Sequence, residues 1–543
     1  MKVQIVAALF LIVAFFSCPD STETVPSLPD RPTVDIIPSV VDSSVVLIDT
    51  GVITTATTNW ANENSPLGIN LEYAKDWVGH WPFVDAFKLA RPWIPQQTSP
   101  EIWDCREGTC ETGNDQLSLT TDGWVAFLKP NQAAGSLMFL NHKGRFPAGR
   151  YTVLYDGEGN LDFFWNARVI ERNPGRMLIE VTPGDEGIYM RLNSTNPLNP
   201  LKNIRILMPN FENTKEQETF HPIFIKSLSK FKIIRFQQWQ MSNEQYGDAA
   251  VVEWSDLPVP ELFQSGNTGV HPIWMIKLAN KLHADPWFSM PYKANDDFVR
   301  QFAELVSTEL DPELKVYIEY SNEVWNGLFP QQQYSIEEGM KLGLANEDWM
   351  AGWRYYSQRS VEIFDIWDEI IDSHELVRVL AGQSAVPAMG FEVMRWNDAY
   401  KKADVYATAP YIMGIGGMTV NDVLNNLEAD ISDVMANEVR NADHAHERGL
   451  KHIAYEGGQH LIGSNESQRD LFLQVNRDPR IKQIYLKYLD EWFTIGDDIF
   501  VYYSYLSAPS RWGTWGSLEY QEQTRANAPK YDALMTFIEN YQP

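Results

Sequence analysis

The clearest structural signal in the chain is LKVYIEYSNEVWNG (314–327), a β-type run that leads directly into Asn322-Glu323. Residues 314–320 are rich in β-branched, aliphatic and aromatic side chains, which favour a buried strand. The polar residues that follow predict that the strand ends there. Glu323 is therefore expected at the carboxyl end of a strand, and the neighbouring segments indicate which kind of sheet that strand belongs to.

Seven further β-type runs alternate with helical segments on both sides of this strand. The runs are 67–73, 231–239, 283–291, 376–382, 404–411, 452–457 and 499–506. Apolar residues recur at helical spacing between them, as in 270–282, 298–310 and 353–371. Eight strands alternating with helices predict an α/β fold, a (β/α)₈ TIM barrel, and favour it over a doubly wound sheet. No Gly-rich dinucleotide or phosphate loop follows any of the eight runs.

A different pattern occupies 104–210, where short β-type runs such as RYTVLY, LDFFW and RMLIEV are broken by GEGN, NPGR and PGDEG. This pattern predicts a β-sandwich-like module. Because the module lies between one strand–helix pair and the remaining strands, it is interpreted as an insertion. The predicted limits are 45–103 for the first barrel elements, 104–210 for the inserted module and 211–543 for the remainder of the barrel.

The first residues predict export. Lys2 precedes an apolar run, 3–16, that is too short to span a bilayer but fits a signal peptide ending at residue 17. Ser17-Cys18 is similar to a bacterial lipoprotein cleavage site, so Cys18 is a candidate for lipidation and membrane attachment, and plain cleavage with secretion is the alternative. Residues 18–44 predict a flexible tether. The expected location is the outer membrane or cell surface as a lipoprotein, or the medium.

The composition of the chain indicates which classes of molecule it can bind. The chain carries 44 Lys and Arg against 72 Asp and Glu, a formal net charge of −28, which repels phosphate backbones and excludes nucleic acid. Aromatic residues make up 13% of the chain, which suits a protein that stacks rings on sugars. Cys105 and Cys110 predict a small disulfide in an exported protein, with two free thiols as the alternative. The ten His residues show no metal-ligand spacing, and we predict neither metal nor cofactor.

Two carboxylates follow strands that would face each other across the barrel mouth. These are Glu323 after the fourth run and Glu456, in HIAYEGGQH, after the seventh. A carboxyl pair about 5 Å apart is what a retaining glycosidase requires. The alternatives are structural: Asn322 as a helix N-cap with Glu323 near the helix dipole, and Glu456 as a strand-end carboxylate held by hydroxyls.

An Asn-Glu pair at the end of strand four, a second Glu at the end of strand seven and an aromatic-rich eighth strand resemble the clan A retaining glycoside hydrolases. These are (β/α)₈ enzymes acting on β-linked sugars, and the resemblance covers roughly 60–95 and 211–530. It implies that Glu323 is the acid/base, that Asn322 contacts the sugar 2-hydroxyl and that Glu456 is the nucleophile.

The resemblance implies further residues around the nucleophile. Arg235 would support Glu456 and Tyr411 would donate a hydrogen bond to it, which would lower the pKa of Glu456, while a less solvated Glu323 would stay protonated. Trp512 or Trp515 would form the hydrophobic floor beneath the reactive sugar. Other rings predicted to lie in or near strand-end loops, where they could stack on sugars, are Trp239, Trp287, Trp325 and Trp396.

The expected function is hydrolysis of a β-linked polysaccharide or oligosaccharide by double displacement, without a cofactor. One alternative is a non-catalytic, glycan-binding surface lipoprotein. A third hypothesis is an esterase or lyase that acts on the same polysaccharides. A nucleophile elbow has the motif Gly-x-Ser-x-Gly, and GQSAV (382–386) ends in Val where that motif requires Gly. The inserted module is hypothesised to flank the cleft and hold polymer, with a structural buttress as the alternative.

Overall fold

The computed structural model describes residues 60–98, 117–247, 250–371, 376–510 and 513–542 of the 543-residue chain. Several predictions lie outside these residues: the signal peptide (1–17), the tether (18–44), lipidation at Cys18, the Cys105–Cys110 disulfide and the role of Trp512. None of the helices in the described ranges is long and apolar enough to cross a membrane.

The strands are given in chain order. They are β1 (Leu67–Asn70), β2 (Ile94–Gln97), β3 (Ser118–Leu119), β4 (Val125–Phe127), β5 (Gln132–Met138), β6 (Gly149–Asp156), β7 (Gly159–Trp165), β8 (Ala167–Asn173), β9 (Arg176–Val181), β10 (Ile188–Thr195), β11 (Lys202–Leu207), β12 (Ile233–Arg235), β13 (Asp285–Met290), β14 (Val316–Tyr320), β15 (Leu376–Ala381), β16 (Val405–Thr408), β17 (Lys451–Ala454) and β18 (Phe500–Tyr502).

The α-helices follow the same order. They are α1 (Pro222–Leu228), α2 (Pro272–Leu282), α3 (Asp296–Glu309), α4 (Pro330–Lys341), α5 (Asp348–Asp368), α6 (Pro387–Arg395), α7 (Val420–His446), α8 (Glu466–Arg477), α9 (Arg480–Trp492) and α10 (Pro529–Asn540). Short 3₁₀ segments occur at Ala86–Leu89, Trp254–Asp256, Trp396–Lys402 and Arg525–Asn527.

Eight parallel strands close into a barrel in the order β1, β12, β13, β14, β15, β16, β17 and β18, and β18 pairs back with β1. The predicted (β/α)₈ fold is therefore confirmed, and each of the eight predicted runs contains or overlaps one barrel strand. Gly68 is required inside β1, because a Cβ there would lie 2.8 Å from the Cβ of Ile233 on the neighbouring strand.

Helix α3 shows how local sequence forms the outer layer. Asn295 caps its first turn by accepting a hydrogen bond from the backbone N–H of Phe298. Two acidic residues follow in the first turn, where they complement the helix dipole. The buried residues of the helix recur at helical spacing and face the barrel. They are Phe298, Val299, Phe302, Ala303 and Val306.

The residues between β1 and α1 form antiparallel sheets outside the barrel. Two of these sheets have four strands each, in the orders β2-β5-β10-β7 and β11-β6-β9-β8, and a third contains β3 and β4. In β9, Met177, Ile179 and Val181 are buried and alternate with more exposed residues, as expected for a sheet covered on one face. Segment 45–103, assigned above to the barrel, contributes β1 to the barrel and β2 to an antiparallel sheet.

Side chains inside the barrel come from alternate strand positions. Ile233, Tyr317, Val379, Val405 and Val501 belong to one buried cluster of this kind. Because side chains alternate across a strand, the residue two positions further along also points inward. The inward-facing side chains that come after this apolar layer lie nearer the carboxyl ends of the strands. They therefore point into the barrel mouth.

Candidate active site

Arg235 is the centre of the site. It lies two residues after Ile233 on β12, is 0% exposed and continues the inward-facing series. Its Nη1 donates to Asn70 Oδ1 at 3.0 Å and to Glu456 Oε1 at 2.7 Å. Its Nη2 donates to Glu319 Oε2 at 2.8 Å and to Asn322 Oδ1 at 2.7 Å. One guanidinium therefore joins residues from four of the barrel strands and their ends.

Glu456 is held at both carboxylate oxygens. Arg235 donates to Oε1, and the Tyr411 hydroxyl donates to Oε2 at 2.8 Å. Burial raises the pKa of Glu456 above its usual value, and Arg235 and Tyr411 act in the opposite direction. The structure therefore brings the expected partners to Glu456. Both lower its pKa as expected, although burial leaves the pKa above its usual value.

Glu323 has fewer stabilising partners. Its Oε2 accepts one hydrogen bond, from Asn326 Nδ2 at 2.9 Å. Burial, together with the nearby charge of Glu456, raises the pKa of Glu323 to about 8. Because Glu456 is bound by the Arg235 cation and the Tyr411 hydroxyl, it ionises first and its charge then keeps Glu323 protonated at neutral pH. The two carboxyls are thereby separated into an acid and a carboxylate.

The backbone around Glu323 has an unusual conformation. Ser321 and Glu323 have φ values of 59° and 42°, in the left-handed region that non-glycine residues rarely adopt. Such a conformation costs about 1–3 kcal/mol per residue and persists where its surroundings hold it in place. Two hydrogen bonds do so here: Ser321 N donates to Met290 O, and Gln331 Nε2 donates to Asn322 O.

The next helix, α4, begins at Pro330. The alternative in which Asn322 caps a helix is therefore wrong. Asn322 instead accepts from Arg235, and its Nδ2 donates to Asn243 Oδ1 at 3.1 Å. Its predicted contact with a sugar 2-hydroxyl stays a prediction, as do the roles assigned to Glu323 and Glu456 and the distance between their carboxyls.

A polar group that the sequence did not reveal lies after β1, β12 and β18. With its side-chain amide oriented so that the oxygen faces Tyr503, Gln238 donates to Leu71 O at 2.8 Å and to Glu72 Oε1 at 3.1 Å, and it accepts from the Tyr503 hydroxyl at 2.5 Å. Burial raises the pKa of Glu72 to about 7. Burial and the charges of Glu72, Glu456 and Glu323 raise the pKa of the Tyr503 hydroxyl well above its usual value, so this hydroxyl remains a donor beside both candidate catalytic groups.

Asn243-Glu244 lies on the long loop after β12 and reaches the site. Asn243 Oδ1 accepts from Gln331 Nε2 at 2.8 Å as well as from Asn322. Glu244 Oε1 accepts from the Tyr73 hydroxyl at 2.9 Å. The Asn-Glu pair is visible in the sequence, but the loop is too long for the sequence to show that this pair lies in the site.

The predicted aromatic residues occupy several environments. Trp515 is half-buried, with its ring 5.8 Å from Tyr503 and 5.7 Å from His460. Its predicted role as the floor beneath the reactive sugar stays a prediction. Trp325 is partly buried within the Glu323 loop, where its carbonyl accepts from Gln332.

Trp239 lies in the core and not in the cleft. It is 0% exposed, and its ring stacks on Phe83 with centroids 5.8 Å apart. The reason is local: the chain after β12 folds back, with Gln240 N donating to Phe236 O. Trp287 is also buried and donates to Glu319 Oε2 at 2.9 Å. Trp396 packs beneath Arg354 before β16, at the opposite end of the barrel.

No protein-family profile and no curated protein sequence matches this chain. Several solved structures are similar to it. A 4-O-α-L-rhamnosyl-β-D-glucuronidase from Fusarium oxysporum 12S has 13% identity and a TM-score of 0.37, over 58% of this chain and 63% of its own. A family 51 α-L-arabinofuranosidase from Bifidobacterium longum has 9% identity and a TM-score of 0.37, over 57% and 66%. An endo-1,4-β-xylanase from Penicillium canescens has 10% identity and a TM-score of 0.34, over 60% and 92%.

The match spans less than two thirds of the first two of these structures. Identities of 9–13% and TM-scores of 0.34–0.37 do not indicate what this chain binds or cleaves. The site must therefore be judged from its own geometry.

Proposed function

We propose that this protein is a retaining glycoside hydrolase that cleaves a β-linked polysaccharide or oligosaccharide by double displacement. The observation that carries the proposal is the division of labour between Glu323 and Glu456 beside Arg235. One carboxyl has its pKa raised to about 8, and the other accepts from a guanidinium and a phenol. A protonated acid facing an ionised carboxylate is the pair that retaining hydrolysis uses.

In the first step Glu456 Oε attacks the anomeric carbon while Glu323 gives its proton to the glycosidic oxygen. The glycosidic bond breaks, the leaving sugar departs as an alcohol and the other sugar becomes an ester of Glu456. In the second step Glu323, now a carboxylate, takes a proton from water, and the water oxygen displaces Glu456 from the anomeric carbon. Both residues return to their starting protonation states.

The coupling between the two carboxyls assists this exchange of roles. The charge of Glu456 is one of the causes that raise the pKa of Glu323. Once Glu456 is esterified that charge is absent, so the pKa of Glu323 falls and it becomes a base when a base is needed. Arg235 keeps Glu456 oriented throughout, because its other contacts, to Glu319 and Asn322, do not depend on the ester.

The test is a product-release screen over a panel of plant and algal polysaccharides, with the anomer of the first product followed by NMR. We expect hydrolysis of at least one polymer with retention of the β configuration. Glu456→Gln should be inactive, and Glu447→Gln, which changes an exposed acid on the far side of the barrel, should match the wild type. Release of the α anomer would contradict double displacement. Binding without hydrolysis would favour the glycan-binding alternative.

We also propose that the chain is exported, with Cys18 as the lipid attachment point or with plain secretion. The support is the apolar run 3–16 followed by Ser17-Cys18. Metabolic labelling with a palmitate analogue distinguishes the two alternatives. Label on the wild type that disappears in Cys18→Ser would support the anchor, and an unlabelled mature protein in the medium would support secretion.

A further inference from the structure

A cavity of about 630 Å³ lies where the antiparallel sheets meet the barrel, and we call it the junction cavity. Its walls come from β6 and β11 of the sheets, from the segment 83–88 after β1, from the loop that contains Pro260 and from helix α2. The volume falls within the roughly 300–1,000 Å³ of small-molecule sites. The cavity shares no lining residue with the candidate active site described above, so the mechanism does not use it.

Strand β11 turns two polar side chains toward this cavity. Ile204 and Ile206 of the strand are buried in the core. Asn203 and Arg205 alternate with them and line the cavity. The pairing of β11 with β6 shifts register between Lys202 and Arg205, and Asn203 has a φ of 52°. Such a bulge re-aims the side chains around it and is common beside functional sites.

Helix α2 supplies an aromatic ring to the wall. Its buried residues face the core, whereas Trp274 is half-buried and lines the cavity together with Lys277. Trp274 Nε1 donates to Pro260 O at 3.2 Å, and the ring packs edge-on against Phe83 with centroids 6.0 Å apart. The ammonium groups of Lys88 and Lys277 lie 5.0 and 4.8 Å from the ring centre. A fixed ring with polar groups beside it matches the apolar C–H face and the hydroxyls of a sugar.

The charged side chains of the lining are balanced in number. They are Lys88, Arg205, Lys215 and Lys277 on the basic side and Asp85, Asp156, Glu216 and Glu261 on the acidic side. A polyanionic ligand would need an excess of positive charge, which this lining does not supply. A neutral ligand rich in hydroxyl groups fits better, because each hydroxyl can donate to a carboxylate and accept from an ammonium or guanidinium group.

One carboxylate of the cavity is fixed in place and one buried donor lacks a protein partner. Asp85 Oδ1 accepts from Phe87 N at 3.0 Å and from Ile206 N at 2.7 Å, which holds this carboxylate between the segment after β1 and β11. Within the described part of the chain, the buried Nε of Arg205 has no hydrogen-bond partner. A buried donor left unpaired costs free energy, and an oxygen atom of a bound ligand would satisfy it.

We propose that the junction cavity is a second carbohydrate-binding site, which holds a neutral stretch of the polysaccharide that the enzyme cleaves. This inference rests on the proposed function, which supplies the class of ligand. The site gives the antiparallel sheets a part in holding the polymer, because one of its walls is formed by β6 and β11.

The first test measures binding of the polysaccharide that the wild type cleaves in the panel. Affinity electrophoresis in the inactive Glu456→Gln background keeps the polymer intact. Adding Trp274→Ala should weaken binding about tenfold, the size of one lost aromatic contact. Trp60→Ala is the matched control, because this ring is 38% exposed and stacks on His283 outside the cavity, with centroids 4.6 Å apart. It should leave binding unchanged.

A second variant leaves the contact between Trp274 and Phe83 intact. Arg205→Met removes the donors of the guanidinium but keeps a long side chain, and it should also weaken binding about tenfold. Thermal unfolding of each variant shows whether it is folded.

Kinetics with the catalytic residues unchanged give a separate measurement. Trp274→Ala should raise KM for the polymer and leave kcat/KM on an aryl glycoside of one sugar unit unchanged. A single sugar bound at the catalytic pair has no further units to reach the cavity.

Several results would overturn the assignment. Wild-type affinity in both Trp274→Ala and Arg205→Met would remove the site and leave the proposed function standing. Equal losses on the polymer and the aryl glycoside would indicate a disturbed active site and not a second one. Binding confined to sulfated or uronate polymers would exclude a neutral ligand, and a change of oligomeric state with unchanged affinity would assign the cavity to a second copy. If the wild type cleaves no polymer, the proposed function itself fails and this inference falls with it.

Discussion

The two ends of the barrel differ in how many basic residues lie beside their acidic residues. At the amino-terminal end the acids face basic partners: Arg378, near the start of β15, donates to both oxygens of Asp404 and also to Asp368 at 2.9 Å. Asp285, at the start of β13, has Lys232 at 3.7 Å. These pairs tie neighbouring strands and helices together, although burial raises the pKa of Asp285 even with Lys232 beside it.

At the carboxyl-terminal end the acids outnumber the bases. Glu319, Glu323 and Glu456 lie around one buried cation, Arg235, and Glu72 lies at the end of β1. Burial raises the pKa of each of the four carboxyls. Such unbalanced charge is costly to bury and is found where pKa values are adjusted for chemistry. This contrast between the ends agrees with the proposed active site at the carboxyl-terminal end.

The largest effect is expected at Glu456, the proposed nucleophile. Glu456→Ala should lower kcat by at least about a thousandfold on every substrate, as removal of a covalent catalyst does. Added azide should restore turnover on activated aryl glycosides, because it fits the space left by the carboxylate, and the product should be the inverted glycosyl azide. A retained product would place the nucleophile elsewhere.

Removal of the acid should be more selective. Glu323→Ala should slow hydrolysis of the natural polymer by about 10²–10⁴-fold, since the leaving sugar then departs without a proton. Cleavage of an aryl glycoside with an activated leaving group should be spared in its first step. If Glu323→Ala and Glu456→Ala respond alike to azide and to aryl glycosides, the roles are wrong even if the site is right.

The third experiment compares the two ends directly through stability. Arg235→Met leaves Glu319 and Glu456 buried without their cation, and breaking a buried pair in this way costs about 3–5 kcal/mol. Arg378→Met removes a side chain that is 18% exposed, and its acids can turn to water, so the cost should be nearer 1 kcal/mol. Urea unfolding of both variants measures the difference.

The pH dependence of that difference has a definite sign. Without Arg235 the folded-state pKa values of Glu319 and Glu456 rise further above that of an unfolded Glu. Their ionisation is then penalised in the folded state, so Arg235→Met should lose stability as pH rises from 5 to 7 and recover it as pH falls. Equal costs for both arginines at pH 7 would contradict the contrast between the two ends.

Much of this arrangement could be predicted because the carboxyl end of a barrel strand can be recognised in the sequence. Each strand is buried and reads as an apolar run, so the polar residue that follows it stands out, as Glu323 and Glu456 do. Arg235 and Tyr411 were found by the same rule together with the family resemblance. Their contacts with Glu456 are at 2.7 and 2.8 Å.

The residues that were missed lack that signal. Glu319 lies within β14. In the sequence it occupies one of the alternating strand positions, and nothing there marks it as a residue of the site. Tyr503 was counted as part of the last strand, and Glu244 lies on a loop whose path the sequence does not specify. Trp239 was assigned to the cleft because it follows a strand, but no sequence pattern shows whether a loop residue turns back into the core.

The smallest expected effect is the shape of the pH profile, which tests the charge coupling between the two carboxyls. The acid must be protonated in the free enzyme, so kcat/KM on the polymer should fall as pH rises through about 8, the pKa of Glu323, by tenfold per further unit. At low pH activity should fall again as Glu456 takes up a proton.

Glu323→Ala provides the control, because an activated aryl glycoside needs no proton on its leaving group. With that substrate the basic limb should disappear in the variant, while the acidic limb set by Glu456 remains. A basic limb that persists in Glu323→Ala would have to come from another group, and Glu72, whose pKa is raised to about 7 by burial, is the nearest alternative within the same cleft. Glu72→Gln would then remove the limb, which would assign that pKa to Glu72 at the end of β1 and not to Glu323.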